Sequence, residues 1–222
     1  MAYLPTYRLK LYRNFKSIDT ADFHGIVRFY EQFEDDIATL DIDEYFDCAL
    51  AYTEALFEIE NYAQHLVMCD HLLELVIMKN IEFWGGEDIY AKLLFKKARA
   101  LYRLEDYPRS AYTLRELIKL SPRNRQPAQL LRRCLLNQRP RWMTTTRAAA
   151  LALSFLAITV IALELLVIGP FFMDYYPHTL VVHNVLIAGA VLVFAGGEFW
   201  HSWRCHRAVC DFVSAARQRK NK

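Results

Sequence analysis

The sequence predicts an all-α chain in two parts: a short helical domain over residues 1–142, then a hairpin of two membrane-crossing helices. Three observations carry this. Apolar residues in the first part recur at intervals of three and four, as in Ala51-Ala55-Leu56-Ile59 and Leu114-Leu117-Ile118. Two long apolar runs stand in the second part. One turn sequence occurs twice, as Glu60-Asn61-Tyr62 and Glu105-Asp106-Tyr107. No convincing alternating strand pattern is present. A hydrophobic fraction of 54% and an aromatic fraction of 14% exclude a disordered chain. Five Cys without regular spacing argue against a disulfide framework and for a reducing compartment.

Taken in order, Met1–Arg13 carries Arg8, Lys10 and Arg13 with no apolar run behind them, unlike a secretory signal. Asp19-Thr20 predicts an N-cap for a leading helix running through Asp36. Two helical hairpins follow, about residues 46–78 and 91–124. Asn61, Gly85-Gly86, Pro108, Pro122 and Pro127 stand as breaks. A capping helix is predicted at about 126–137. Between the hairpins the spacing leaves about eleven extra residues near 78–87, to be absorbed by a longer helix or a loop.

The second hairpin resembles a tetratricopeptide repeat. Ala98 stands at the small position of the first helix, with Leu101 and Tyr102 at its aromatic end. Glu105-Asp106-Tyr107 is the turn. Ser110 is the small residue of the second helix, Leu114, Leu117 and Leu120 are its core stripe, and Pro122 ends it. The first hairpin matches less closely: Thr53, Leu56, Tyr62, Cys69 and Leu72 fit, but His65 replaces a small residue, and the turn tyrosines are 45 rather than 34 residues apart. The resemblance implies a protein-binding groove lined by the first helix of each repeat, and no catalytic centre.

The apolar runs cover residues 148–173 and 179–200. The first contains one charge, Glu164. The second has Glu198 near its end. Each is long enough to cross a hydrocarbon core of about 30 Å. Arg139, Arg141 and Arg147 precede the first, and a basic tail over 201–222 follows the second. The connecting turn has no Lys or Arg. By the positive-inside tendency both ends are cytoplasmic, at the inner membrane if the cell is bacterial. Glu164 is predicted to meet His183 or Asn184 across the hairpin, or in a second copy. Ala150, Ala157 and Glu164, like Gly189 and Gly196, recur every seven residues and would suit close packing, including a homo-oligomer.

Charge is split along the chain. Between Phe29 and Met78 there are thirteen acidic residues and no Lys or Arg, whereas Ile89–Trp142 holds fourteen basic residues against three acidic ones. Lys92, Lys96, Arg99 and Arg103 fall on one face of the first helix of the second repeat, with Phe95 and Tyr102. In a tetratricopeptide groove that face would take a protein or acidic peptide. The same cations could equally pair with Asp47, Glu54 and Glu58 of the preceding repeat. A nucleic-acid partner is disfavoured because the neighbouring surface is acidic.

No nucleotide-binding loop, nucleophile elbow or zincin motif is present. His65/Cys69 reads as packing. The pairs His201/Cys205 and His206/Cys210 diverge around one helix, so no metal or cofactor is expected. The sequence therefore predicts a non-enzymatic, membrane-anchored adaptor. Its rival is an oligomeric membrane effector, pore or transport component that uses the repeat domain as sensor or assembly surface.

Overall fold

The structure, a computed structural model, describes residues 4–138, 140–163, 165–166 and 176–220. Its elements are α1 (Leu4–Lys16), α2 (Phe23–Gln32), α3 (Glu34–Ile37), α4 (Ile42–Glu58), α5 (Tyr62–Lys79), β1 (Phe83–Trp84), β2 (Glu87–Asp88), α6 (Ile89–Arg103), α7 (Tyr107–Leu120), α8 (Arg125–Asn137), α9 (Arg141–Leu163) and α10 (Tyr176–Lys220). Among the described residues the chain is all-α apart from the two-residue strands. It divides into two compact units, Met1–Cys134 with Ala216–Lys222, and Leu135–Ala215.

In the first unit α2 packs on α4, α4 on α5, α5 on α6 and α6 on α7. The core runs through Phe46, Leu56, Leu72, Ile89 and Leu93, each almost fully buried. The turn and the contacts around it recur in the two hairpins at an offset of 45 residues. Glu60 and Glu105 both take positive φ, at 63° and 60°. Asn61 and Asp106 each cap the following helix, accepting from the amides of Gln64 and Arg109. The amide of Asn61 donates to the Leu56 carbonyl at 3.0 Å, and that of Asp106 to the Leu101 carbonyl at 2.9 Å, the helix-ending bond of the Schellman motif. Phe57 meets Tyr62, and Tyr102 meets Tyr107, both at 5.5 Å and nearly edge-on. Even the buried polar contact repeats: a His65 ring nitrogen meets the Thr53 carbonyl, as the Ser110 hydroxyl donates to that of Ala98, each at 2.8 Å.

Several elements add to the sequence expectations or correct them. Residues 4–16 form a helix that buries Leu11 and Phe15. The leading helix starts after Asp22, which caps it through the Gly25 amide at 2.9 Å, while Asp19 holds only the Ala21 amide. That helix stops at Phe33 rather than running to Asp36. Leu120 is nearly half exposed, so the stripe of α7 is Leu114, Leu117 and Ile118. The extra residues between repeats form a β-hairpin, in which Phe83 pairs with Asp88 and Trp84 with Glu87. Gly85 and Gly86 make its turn with φ of 59° and 82°. Two successive positive φ values suit glycine and match the right-handed twist of the strands. Asp88 then caps α6 through the Ala91 amide. Trp84 closes on Phe46 with ring centroids 4.9 Å apart.

In the second unit α9 and α10 are long and apolar enough to cross a membrane, with mean hydropathies of 2.0 and 1.7 over an eighteen-residue window within Trp142–Leu163 and within Val181–Lys220. A core helix of a soluble protein is mostly buried. Here only 11% and 6% of the apolar windows are buried. Leu151, Phe155 and Leu192 are each 72% exposed. The basic segment over 201–220 continues as helix.

Candidate functional site

The charged face of α6 is built by the alternation of its two stripes. Ile89, Leu93, Leu94, Ala98 and Leu101 turn into the core. Lys92, Lys96, Arg99 and Arg103 are left on another face. The structure brings two of these four to Glu54 of α4: Lys96 Nζ lies 2.9 Å and Lys92 Nζ 3.3 Å from its Oε1. Lys92 is also 2.9 Å from Glu87 of the β-hairpin. Burial pushes the Glu54 carboxyl up, but the hydrogen bond and charge of Lys96, reinforced by Lys92, outweigh it and hold it below the usual carboxylate value. Burial lowers Lys92, yet its two carboxylate partners raise it overall.

Arg99 and Arg103 stay exposed. The Arg99 guanidinium sits 4.8 Å above the Phe57 ring, a cation–π contact that holds the charge at the surface. Phe95 is half-buried against the core, and Tyr102 stacks edge-on with Tyr107. Glu58 is exposed and makes no ion pair among the described residues. Asp47 is not brought to these cations. It pairs with Lys16 and accepts from the Tyr12 hydroxyl at 2.8 Å. The intramolecular use of the face therefore holds for Lys92 and Lys96 through Glu54, leaving Arg99 and Arg103 as its outward charge.

A second surface was not legible from spacing. α5, α6 and α7 enclose a groove of about 890 Å³ floored by Leu66, Leu73, Leu94 and Leu101. Tyr112 stands at its rim, 66% exposed. Lys97 and Asp70 form an ion pair across it.

In the second unit Arg147 and Glu198 form an ion pair, with Nε 3.0 Å from Oε1. A Cβ on Gly197 would come within 3.2 Å of the Thr146 hydroxyl, so α9 and α10 meet closely there. Ala150, Ala157 and Ala190 are buried. The close stripe on α10 is thus Ala190 and Gly197, not Gly189 and Gly196, beside which the space is open. Glu164 lies outside the described residues. His183 is half-buried and shares the heptad stripe of Ala190 and Gly197, and Asn184 is exposed. His201 meets Trp142 edge-on at 6.0 Å. Among the described residues no group of three or more His, Cys, Asp or Glu is placed to hold a metal.

His65 is fully buried, as is Cys69. One ring nitrogen lies 2.8 Å from the Thr53 carbonyl and the other 3.2 Å from the Cys69 sulfur. Burial pushes the Cys69 thiol up to about 12, so it stays protonated and donates to the ring. Burial also lowers the His65 pKa below its ordinary 6.5, against the Thr53 hydrogen bond that raises it. The unfolded chain therefore takes up this proton first as pH falls. Stability is retained above about pH 6.5 and lost progressively below it, down to the folded pKa. Amide exchange in α4 and α5 is expected to quicken between about pH 7 and pH 5.5 after correction for intrinsic rates, and His65→Gln should flatten that response. An equal slope in the variant would show that other groups set it.

Fold and site together define an all-α protein in which a stack of repeated helical hairpins shares a chain with two long, apolar, outward-facing helices. No protein-family model matches the chain, nor does any curated protein or solved structure.

Proposed function

We propose that this chain is a membrane-anchored helical-repeat adaptor of tetratricopeptide type. It binds a protein or acidic-peptide partner on the cytoplasmic side and holds it at the bilayer. The observation that carries this reading is the repeated hairpin, at a 45-residue offset, in the same chain as two helices whose apolar surface is left uncovered. Stacked hairpins expose extended faces suited to binding, and apolar surface of this extent needs lipid around it. Arg99 and Arg103 supply the outward charge for an acidic partner.

A photo-crosslinker at the exposed Glu58, next to the Phe57 ring that Arg99 covers, tests the proposal in native membranes. A partner captured by the wild type is expected to be lost on Arg99→Glu with Arg103→Glu, while the fold is kept, since exposed substitutions usually change stability by less than about 0.5 kcal/mol. The same set of captured proteins with and without the charge reversal would contradict it.

A second reading, an oligomeric membrane effector, is favoured by one observation. α9 and α10 leave an apolar groove of about 630 Å³ lined by Ala150, Ala157, Ile161, Ala190 and Phe194. Small residues in such a groove admit another helix closely. Mass measurement in nanodiscs separates the two: the adaptor needs only a monomer, the effector a defined oligomer.

A further inference from the structure

We propose that the last turn of α10 and the α7–α8 junction form a binding site for a multiply phosphorylated anion. Both segments belong to the first unit. α7 ends at Leu120 with carbonyls that have no partner within the helix. Lys220 Nζ donates to the Leu120 carbonyl at 2.7 Å, and Arg217 Nε donates to the Pro122 carbonyl at 3.2 Å. The Lys220 bond offsets the negative end of α7, the Arg217 bond holds the segment just beyond it, and together they fix two cations in place. Arg217 spends only its Nε–H there, so its two terminal nitrogens remain free to donate elsewhere.

Arg123 and Arg125 complete the site. With Ser121, Pro122, Arg217 and Lys220 they enclose a cavity of about 670 Å³. Four of its six lining residues are cationic and none is acidic. None of the four makes an ion pair among the described residues. α8, thirteen residues long, begins at this wall, where Asn124 accepts from the Gln126 amide. Its positive end adds to the same potential. Four uncompensated cations around one cavity repel each other, and an anion of high charge relieves that repulsion.

The donor set selects the ligand class. Three guanidinium groups offer paired N–H donors that match phosphate oxygens, and a phosphate group carries more charge than a carboxylate. The volume falls within the roughly 300–1,000 Å³ of small-molecule sites. A ring bearing two or three phosphates fits this chemistry, whether free in solution or as the headgroup of a lipid.

The test uses the full chain in nanodiscs. One arm adds free inositol trisphosphate to phosphatidylcholine discs. The other places phosphatidylinositol bisphosphate in the discs and reads chemical-shift or fluorescence changes near Lys220. The site requires that Arg123→Gln with Arg125→Gln weaken binding by about tenfold or more, the scale of losing charged hydrogen bonds. Arg217→Gln with Lys220→Gln should do the same. Arg132→Gln with Arg133→Gln, charges on α8 outside the cavity, should not. Because Lys220 also caps α7 and Arg217 holds the segment after it, helicity of that variant is checked, and the Arg123/Arg125 pair decides if it is lost. Binding of the free probe identifies a soluble ligand, and binding of the lipid alone identifies a headgroup. No binding of either probe, or equal weakening by the Arg132/Arg133 control, would overturn the proposal.

Discussion

Replacing Phe46 by alanine is expected to destabilise the first unit by about 3–5 kcal/mol, the cost of emptying a fully buried aromatic position. Phe46 is 0% exposed and its ring meets Trp84 of the inserted β-hairpin. Its loss removes the wedge on which that insertion closes as well as the contacts of α4. Phe83→Ala, one residue from Trp84 but 67% exposed, should change stability by less than about 0.5 kcal/mol. Because the chain holds two compact units, a single melting curve would mix them. Hydrogen exchange resolved to α4, α5 and α6 reads the first unit alone. Comparable effects from the two substitutions would mean that the insertion does not pack through Trp84.

The second large effect belongs to the ion pair of the second unit. Arg147→Leu leaves Glu198 charged beside an apolar run, and Glu198→Leu strands Arg147. Breaking a fully buried pair costs 3–5 kcal/mol, while exposed pairs contribute little. With side-chain exposures of 34% and 38%, an intermediate loss of about 1–3 kcal/mol is expected for either single change. The double change to leucine should recover most of it, because no unpaired charge remains. Unfolding in detergent, followed through the indoles of Trp142, Trp200 and Trp203, measures the cycle. Losses that simply add would show that the two side chains are not coupled.

Much of this architecture is written locally. The turn at Glu60-Asn61-Tyr62 and its copy at Glu105 are short-range signals, since capping and positive φ act within a few residues. They place both hairpins to within a few residues. The apolar runs are equally local, and α10 continues past Trp200 because no Gly or Pro follows Gly197 to stop it. What was hidden depends on partners distant in sequence. α1 has Leu4, Tyr7, Leu11 and Phe15 at helical spacing, but Leu9 and Tyr12 on other faces and the interspersed Arg8, Lys10 and Arg13 blur that stripe, and the helix is held by docking Leu11 and Phe15. A two-residue strand cannot display an alternation. The adjacent Gly196 and Gly197 each begin an equally good heptad, and only the approach of Thr146 selects one. At the candidate site, the face of α6 was legible from its spacing, but the assignment of its charges was not. Asp47 is taken by Lys16 and Tyr12 of a helix that the pattern did not reveal, and Glu87 arrives through the β-hairpin.

On the proposed topology the repeat unit lies on one side of the membrane and only the segment between α9 and α10 reaches the other. Single-cysteine labelling in sealed cells tests it directly, on a background in which the exposed Cys210 is serine and the other four cysteines are buried. With Asp174→Cys, an impermeant maleimide is expected to react without permeabilisation. With Asn124→Cys, on the repeat unit, it should react only after the membrane is opened. Labelling of both positions from outside, or of neither until permeabilisation, would contradict the account.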